Sequence, residues 1–436
     1  PDLTAKIDAA ANRILAMTGA PSASIAVVKD GRIAYAHAYG LANVETKTAA
    51  TPQMRYSVGS VSKQFTTAAI MMFVEEGKLS LDDKVGKWFP DLTRANDVTV
   101  RQLLSMTSGY QDFWPQDYVM PTMLKPVTAA EIMNTWARKP LDFEPGTKWQ
   151  YSNTNYVIAG QIVERVSGAP VFELLQKRVF APLHMATVTN VDEAPLGSED
   201  AARYLRYGVG PLRPAPKEAR GWLSAAGELA MTATDLAKWD ISLIDQSVLK
   251  PSSYREMETE VELKNGAGTD YALGLKVNMI DGRRQLAHGG EISGFTSEND
   301  VYPDDRVAIV ALTNIDAASA ASQIAARIGQ LLFTPPANAA LDQATQIFAA
   351  LRSGRIDRSL FTSNANAYFS EQALADFAAS LTPLGAPTSF TQTGEHSRGG
   401  MTMRDYRIVF RKQAFHVWTF TMPDGKLEQY MIAPAE

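Results

Sequence analysis

From Leu3 to Met17 the apolar residues Leu3, Ile7, Ala10, Ile14 and Met17 fall near one face at helical spacing, and Gly19 and Pro21 end the run, which predicts an amphipathic helix. The period then changes to two. Residues 22–29 and 32–39 alternate apolar with small or polar positions around Asp30-Gly31, a dipeptide suited to the tight turn of a β-hairpin. Residues 60–76 read as a helix stopped by Gly77, residues 79–90 and 98–106 as short helices and turns, and residues 157–166 as a further helix closed by Ser167-Gly168. Residues 193–220, rich in Gly, Pro and charge, predict a long surface excursion. Strand patterns return at 271–279, 284–288, 295–302 and 307–313, followed by a helix over 317–333.

Strands at both ends with helices between them predict an α/β (α+β) fold: an antiparallel sheet completed by sequence-distant strands, flanked by helices, with an inserted helical lobe. Thr334-Pro335-Pro336-Ala337-Asn338 reads as a linker, which puts one domain at 1–335 and another at 336–436. In the second, helices at 342–351 and 371–381 precede strands at 389–394, 402–411, 415–422 and 427–432. This pattern predicts a small α+β layer with too few strands for a lipocalin-type barrel.

Composition narrows the classes of function. A net charge of −5 over 436 residues, with no long basic run, gives no footprint for nucleic acid or an anionic membrane. With no cysteine there is no disulfide, thiolate metal site or cysteine nucleophile. The apolar stretch 65–74, broken by two threonines, is about half of what a bilayer span needs, so no membrane span is expected. The chain begins with Pro1; a periplasmic or secreted location with the signal peptide removed is the expectation, and a cytoplasmic one the alternative.

The candidate chemistry starts at Ser60-Val61-Ser62-Lys63, where Gly59 hands over to a helix. Positions i and i+3 share a helix face, so the Ser60 hydroxyl and the Lys63 amine can meet. The free N–H groups of a helix N-terminus favour an alkoxide and a developing oxyanion. Alone, Ser-x-x-Lys is a common pattern. With its flanks, residues 55–66 resemble the nucleophile motif of the serine β-lactamase and penicillin-binding-protein superfamily, especially its class C-like branch.

Two further elements carry the resemblance in the same order. Residues 143–153 look like the family's Pro-Gly-Thr approach followed by Tyr-x-Asn, here Tyr151 and Asn153. A tyrosine of ordinary pKa near 10 is a poor base unless a cation such as Lys63 stabilises its phenolate. Asn153 would orient Lys63 and the substrate amide. Residues 286–291 include His288-Gly289-Gly290-Glu291, where the family carries Lys-Thr-Gly or, in peptidase and esterase branches, His-x-Gly. The resemblance implies that Gly289 and Gly290 let substrate lie against the strand, and that the N–H groups of Ser60 and Glu291 form the oxyanion hole. Residues 103–109, 225–229 and 302–314 fit as well; Met106 departs from the histidine common there and is expected to be structural support.

The resemblance implies a serine hydrolase with an acyl-enzyme on Ser60, proton transfer by Lys63 and Tyr151, and assistance from His288. Which of Lys63 and Tyr151 is the base stays open, since coupled groups titrate as a pair. A Ser-His-Asp hydrolase lacks its Gly-x-Ser-x-Gly elbow, and His37 and His184 read as structural. No His-Glu-x-x-His or phosphate-loop lysine pattern occurs, so no metal and no cofactor are expected.

A lysine at 288 would be a permanent cation for a substrate carboxylate, whereas histidine is mostly neutral at pH 7, and residues 315–326 hold no basic side chain. The expected substrate is therefore a small molecule or peptide cleaved at an amide bond, as by the family's D-aminopeptidases. The alternatives are a carboxylesterase of the same fold, a class C-like β-lactamase or DD-carboxypeptidase, and a non-catalytic binding or sensor protein. Tyr110, Phe113, Trp114 and Tyr118 are expected to form an apolar wall, and Glu291 or Asp424 to receive a substrate amine. The C-terminal domain resembles, on pattern, the nuclear-transport-factor type; cleft shielding, homo-oligomer formation and partner binding are the roles open to it.

Overall fold

The hairpin expected at Asp30-Gly31 is present, with φ of 54° and 72° at its two central residues, the left-handed pair a type I′ turn requires. The structure, a computed structural model, describes residues 3–333 and 338–435. The chain divides into two compact units, Pro1–Thr334 and Pro335–Glu436, and most of the expected linker, residues 334–337, lies outside the described residues.

In the first unit, α1 (Leu3–Thr18) leads into β1 (Ser22–Lys29), β2 (Arg32–Asn43) and the short β3 (Thr48–Ala49). Late in the unit come β4 (Lys276–Ile280), β5 (Arg283–Ile292), β6 (Phe295–Tyr302) and β7 (Val307–Thr313). The sheet order β3-β2-β1-β7-β6-β5-β4 joins the first hairpin to the last strand, with Ile25 opposite Ala311. Alternation distributes the side chains between two cores. Ala23, Ile25 and Val27 pack with Ile7 and Ile14 of α1 and with Ile324 and Ile328 of α5 (Ala320–Leu332). Ala26 and Val28 face the larger core, which takes in Phe65 of α2 (Ser62–Glu75), Ile158 of α3 (Asn153–Ser167) and Trp239 of α4 (Ala233–Asp245).

The sequence pattern did not single out α4, although Thr232 caps it by accepting the Asp235 N–H and Leu236, Trp239 and Leu243 follow at helical spacing. The stretch 193–220 is not purely a surface excursion. Its Glu218 is buried and accepts the Ser293 N–H at 2.8 Å, with Arg203 3.6 Å away. Among the described residues no helix is long and apolar enough to cross a membrane.

In the second unit, α6 (Ala339–Arg352) and α7 (Glu371–Leu381) precede an antiparallel meander. Its strands are β8 (Ser389–Arg398), β9 (Met401–Val409), β10 (Ala414–Thr421) and β11 (Leu427–Pro434), in sequential order. Phe348 and Leu351 share its core with Ile408, Val417 and Tyr430.

Candidate active site

Helix α2 is buried from Ser62 to Phe73, so its polar side chains need partners inside the protein. Three of them clamp one segment. Thr66 donates to the Ala225 carbonyl at 2.7 Å, Lys63 donates to the Ala226 carbonyl at 2.8 Å, and the Ser62 hydroxyl accepts the Leu229 N–H at 3.1 Å. Just before α2, Gly59 begins a 3₁₀ turn, Gly59–Val61, at φ 51°, and presents the half-exposed Ser60 to a cleft of about 610 Å³.

Lys63 is fully buried. Its Nζ meets three oxygens: Ser60 Oγ at 2.9 Å, Asn153 Oδ1 at 2.8 Å and the Ala226 carbonyl at 2.8 Å. Burial pulls its pKa down to about 7, against a smaller upward pull from Asp112. Two of the three oxygens can only accept hydrogen bonds. When the amine is neutral, its two N–H groups therefore satisfy Asn153 and Ala226, and its lone pair is left facing the Ser60 hydroxyl.

Asn153, the first residue of α3, has its amide orientation set by Asp112. That carboxylate accepts the Asn153 backbone N–H at 2.9 Å, the Asn153 side-chain amide at 3.2 Å and the Trp114 N–H at 3.2 Å. The amide NH2 thus turns to Asp112 and its oxygen to Lys63. Burial raises the Asp112 pKa, opposed by these N–H groups and by Lys63. The sequence reading missed Asp112, a lone aspartate in a loop with no pattern to mark it.

Tyr151 is held by Met106, whose carbonyl accepts the Gln150 N–H at 3.0 Å and whose sulfur accepts the Ser152 N–H at 3.4 Å. The Tyr151 hydroxyl is buried and finds no partner in hydrogen-bond geometry among the described residues. Burial pushes its pKa far up, while nearby Ser60 pulls it down by less. The Lys63 Nζ stands 5.0 Å from the ring centre.

His288 departs from its expected proton-transfer role. It is 2% exposed, and both ring nitrogens are engaged. Nδ1 faces the Gly289 carbonyl at 2.6 Å, so it carries the proton, and Nε2 accepts from the Tyr271 hydroxyl at 2.9 Å. Burial, reinforced by Lys63, lowers its pKa to about 3. It is a neutral brace between β5 and Tyr271, with no proton free to give.

Strand β4 pairs with β5 only as far as Ala287, which leaves the edge of β5 open from His288 onward. The Gly59–Val61 turn lies against that edge: a Cβ on Gly59 would stand 2.8 Å from the Glu291 nitrogen. A Cβ on Gly290 would lie 2.0 Å from the Val58 carbonyl oxygen, so only glycine fits there. Gly289 has more room, its nearest atom being Glu298 Oε2 at 3.4 Å. The Glu291 backbone thus lies against the turn that carries Ser60, while its carboxylate accepts the Ala317 N–H at 2.8 Å. Phe113, Trp114 and Tyr118 border the cleft, joined by Trp149 and Trp222. Tyr110 does not; it is 1% exposed, inside the large core. Asp424 belongs to the second unit, where it accepts the Lys426 N–H in a turn.

The curated D-aminopeptidase of Brucella anthropi is 30% identical over 319 residues, 72% of this chain and 60% of that protein. The chain therefore spans about three fifths of the length of the curated relatives it matches. The D-amino acid amidase of Ochrobactrum anthropi SV3, solved with L-phenylalanine amide, superposes with a TM-score of 0.67 at 25% identity, covering 76% of this chain and 98% of that one. The octameric penicillin-binding protein homologue of Pyrococcus abyssi shares the fold over 99% of this chain and 96% of its own, with a TM-score of 0.67 at 23% identity. The Beta-lactamase family model matches residues 7–332, and with its antiparallel sheet, inserted helical lobe and Ser60–Lys63–Tyr151 cluster the chain belongs to that family.

Proposed function

We propose that the protein is a serine hydrolase that cleaves amide bonds of substrates carrying a D-amino acid on the acyl side, through an acyl-enzyme on Ser60. The observation that carries the reading is the buried Lys63, with two acceptor-only oxygens and the Ser60 hydroxyl around its nitrogen. The names of the relatives, a D-aminopeptidase and a D-amino acid amidase, support the substrate class.

In this reading neutral Lys63 takes the Ser60 proton as Oγ attacks the carbonyl. The oxyanion is held by the N–H groups of Ser60 and Glu291. Lys63 is the base, because its pKa near 7 lets it lose a proton at neutrality while burial keeps Tyr151 a phenol. Tyr151 hands its proton to the leaving nitrogen and is reprotonated from Lys63. Water then attacks the acyl-enzyme with Lys63 again as base, which releases the acid and restores Ser60. Phe113, Trp114, Tyr118 and Trp222 form the acyl wall, and Glu291 with Asp117 and Asp316 offers negative charge to a substrate ammonium.

A carboxylesterase is the second reading. With His288 unable to donate, leaving-group protonation rests on Tyr151 alone, a step esters need less than amides. D- and L-aminoacyl anilides, aryl esters and a chromogenic cephalosporin, each assayed with wild type and Ser60→Ala, test these readings. The expected result is turnover of the D-anilides, with turnover and fluorophosphonate labelling both lost in the variant. Persistent turnover by clean Ser60→Ala protein would overturn the mechanism, and a preference for L-anilides the substrate class. Self-association through the second unit belongs to the same proposal, and sedimentation of the full chain tests it.

A further inference from the structure

On the wall of the cleft that holds Ser60 lies a carboxyl group that the cycle does not use. Gly289 on β5 stands opposite Glu298 on β6, and the Glu298 carboxylate fills the space above the glycine, 3.4 Å from where a side chain would begin. Glu298 is half-buried on the cleft wall. Among the described residues it has no hydrogen bond or ion pair; burial raises its pKa, Lys276, also on the cleft wall, opposes that rise, and the buried Asp300 is the other charge that acts with it.

Its position relative to the scissile bond follows from the proposed function, on which this inference rests. The carbonyl oxygen sits at the Ser60 and Glu291 nitrogens. Tyr151, the donor to the leaving group, has its ring 6.2 Å from that of His288. The leaving group therefore extends from Ser60 towards His288 and passes over Gly289, where it meets Glu298.

We infer that Glu298 is a specificity-determining residue that rejects a free carboxylate on the leaving group, so that primary amides and neutral or cationic amine leaving groups are cleaved in preference to peptides whose next residue ends the chain. A leaving-group carboxylate above Gly289 faces a like charge in a partly desolvated wall. A neutral amide N–H instead finds an open acceptor. Lys276 limits the repulsion without abolishing it.

The test compares leaving groups that differ only in that charge, D-alanyl-glycinamide against D-alanyl-glycine, by the ratio of kcat/KM values. Coulomb repulsion across a half-buried wall predicts a wild-type ratio of about tenfold or more in favour of the amide. Glu298→Gln should bring it near one, and Lys276→Ala should widen it. A ratio unmoved by Glu298→Gln, with normal fluorophosphonate labelling of Ser60 as proof of a folded site, overturns the inference. The same ratio measured with 3-carbamoylphenyl and 3-carboxyphenyl acetate is independent of the D-amino acid reading. If no D-aminoacyl substrate turns over but Glu298→Gln still shifts the ester ratio, the substrate class falls and the role of Glu298 stands.

Discussion

Asp112→Asn should move the acid limb of the pH–activity profile downwards. In the proposed mechanism the neutral form of Lys63 is the active one, so wild-type kcat/KM should fall as pH drops through a value near 7. Asp112 is the anion that favours the charged ammonium. The two groups are separated by the Asn153 amide, bonded at 3.2 Å on one side and 2.8 Å on the other. Taking their separation as on the order of 7 Å, Coulomb's law at an effective dielectric of about 20 gives about 2 kcal/mol. Partial protonation of the buried Asp112 and solvent at the cleft mouth reduce this, leaving a shift of about one pH unit at about 1.4 kcal/mol per unit.

An asparagine oxygen still accepts the Asn153 and Trp114 N–H groups, so the rate on the alkaline plateau should change little while activity at pH 6 rises relative to that plateau. Asp112→Ala also removes the acceptor. The Asn153 amide is then free to turn its NH2 towards Lys63, and the plateau should fall about 10- to 100-fold, as expected for a misplaced catalytic group. Steady-state kcat/KM for one fixed substrate between pH 5 and 9 reads both effects. An acid limb that stays put or moves upwards in Asp112→Asn would refute the coupling of Asp112 to Lys63.

The other expectations concern the β5 edge. His288→Leu takes from the Tyr271 hydroxyl and the Gly289 carbonyl the partner that each finds in the imidazole, at a cost of about 1–3 kcal/mol, so calorimetry should show Tm lowered by several degrees. Because His288 stays neutral above about pH 3, the acid limb near 7 should survive in that variant, and its disappearance would return a proton-transfer role to the histidine. Gly290→Ala places a Cβ 2.0 Å from the Val58 carbonyl and must push the strand edge away from Ser60. Its kcat should drop about 100-fold, a typical penalty for a displacement of about 1 Å at a reacting centre. Gly289→Ala, with 3.4 Å of clearance, should leave the strand edge and fluorophosphonate labelling of Ser60 intact; equal losses of labelling in the two would contradict the oxyanion-hole assignment.

Much of the fold is legible in the sequence because local chemistry dictates it. The shift from period 3.6 to period 2 marks α1 and the first hairpin, and Asp30-Gly31 sets the turn. Strand-like runs mark β6 and β7 at their observed ends. Ser60 and Lys63 follow from helical spacing, and Tyr151 and Asn153 from a motif short enough to be read along the chain. What escaped the sequence depends on partners brought from afar. Tyr110 and Trp114 come from one loop, yet packing buries the first in the core and leaves the second partly exposed on the cleft. Nothing local to His288 foretells that Tyr271 occupies its Nε2, or that desolvation keeps it neutral. Asp112 is an ordinary loop aspartate until α3 presents two N–H groups to it.

The sequence by itself therefore determined the family frame and the candidates Ser60, Lys63, Tyr151 and Asn153, because motifs and periodicity are properties of neighbouring positions. Only the tertiary structure decided their protonation and their division of labour. These depend on burial and on carbonyls and carboxylates contributed by residues far along the chain, such as Ala226, Asp112 and Glu298, whose distances to the site no spacing in the sequence encodes.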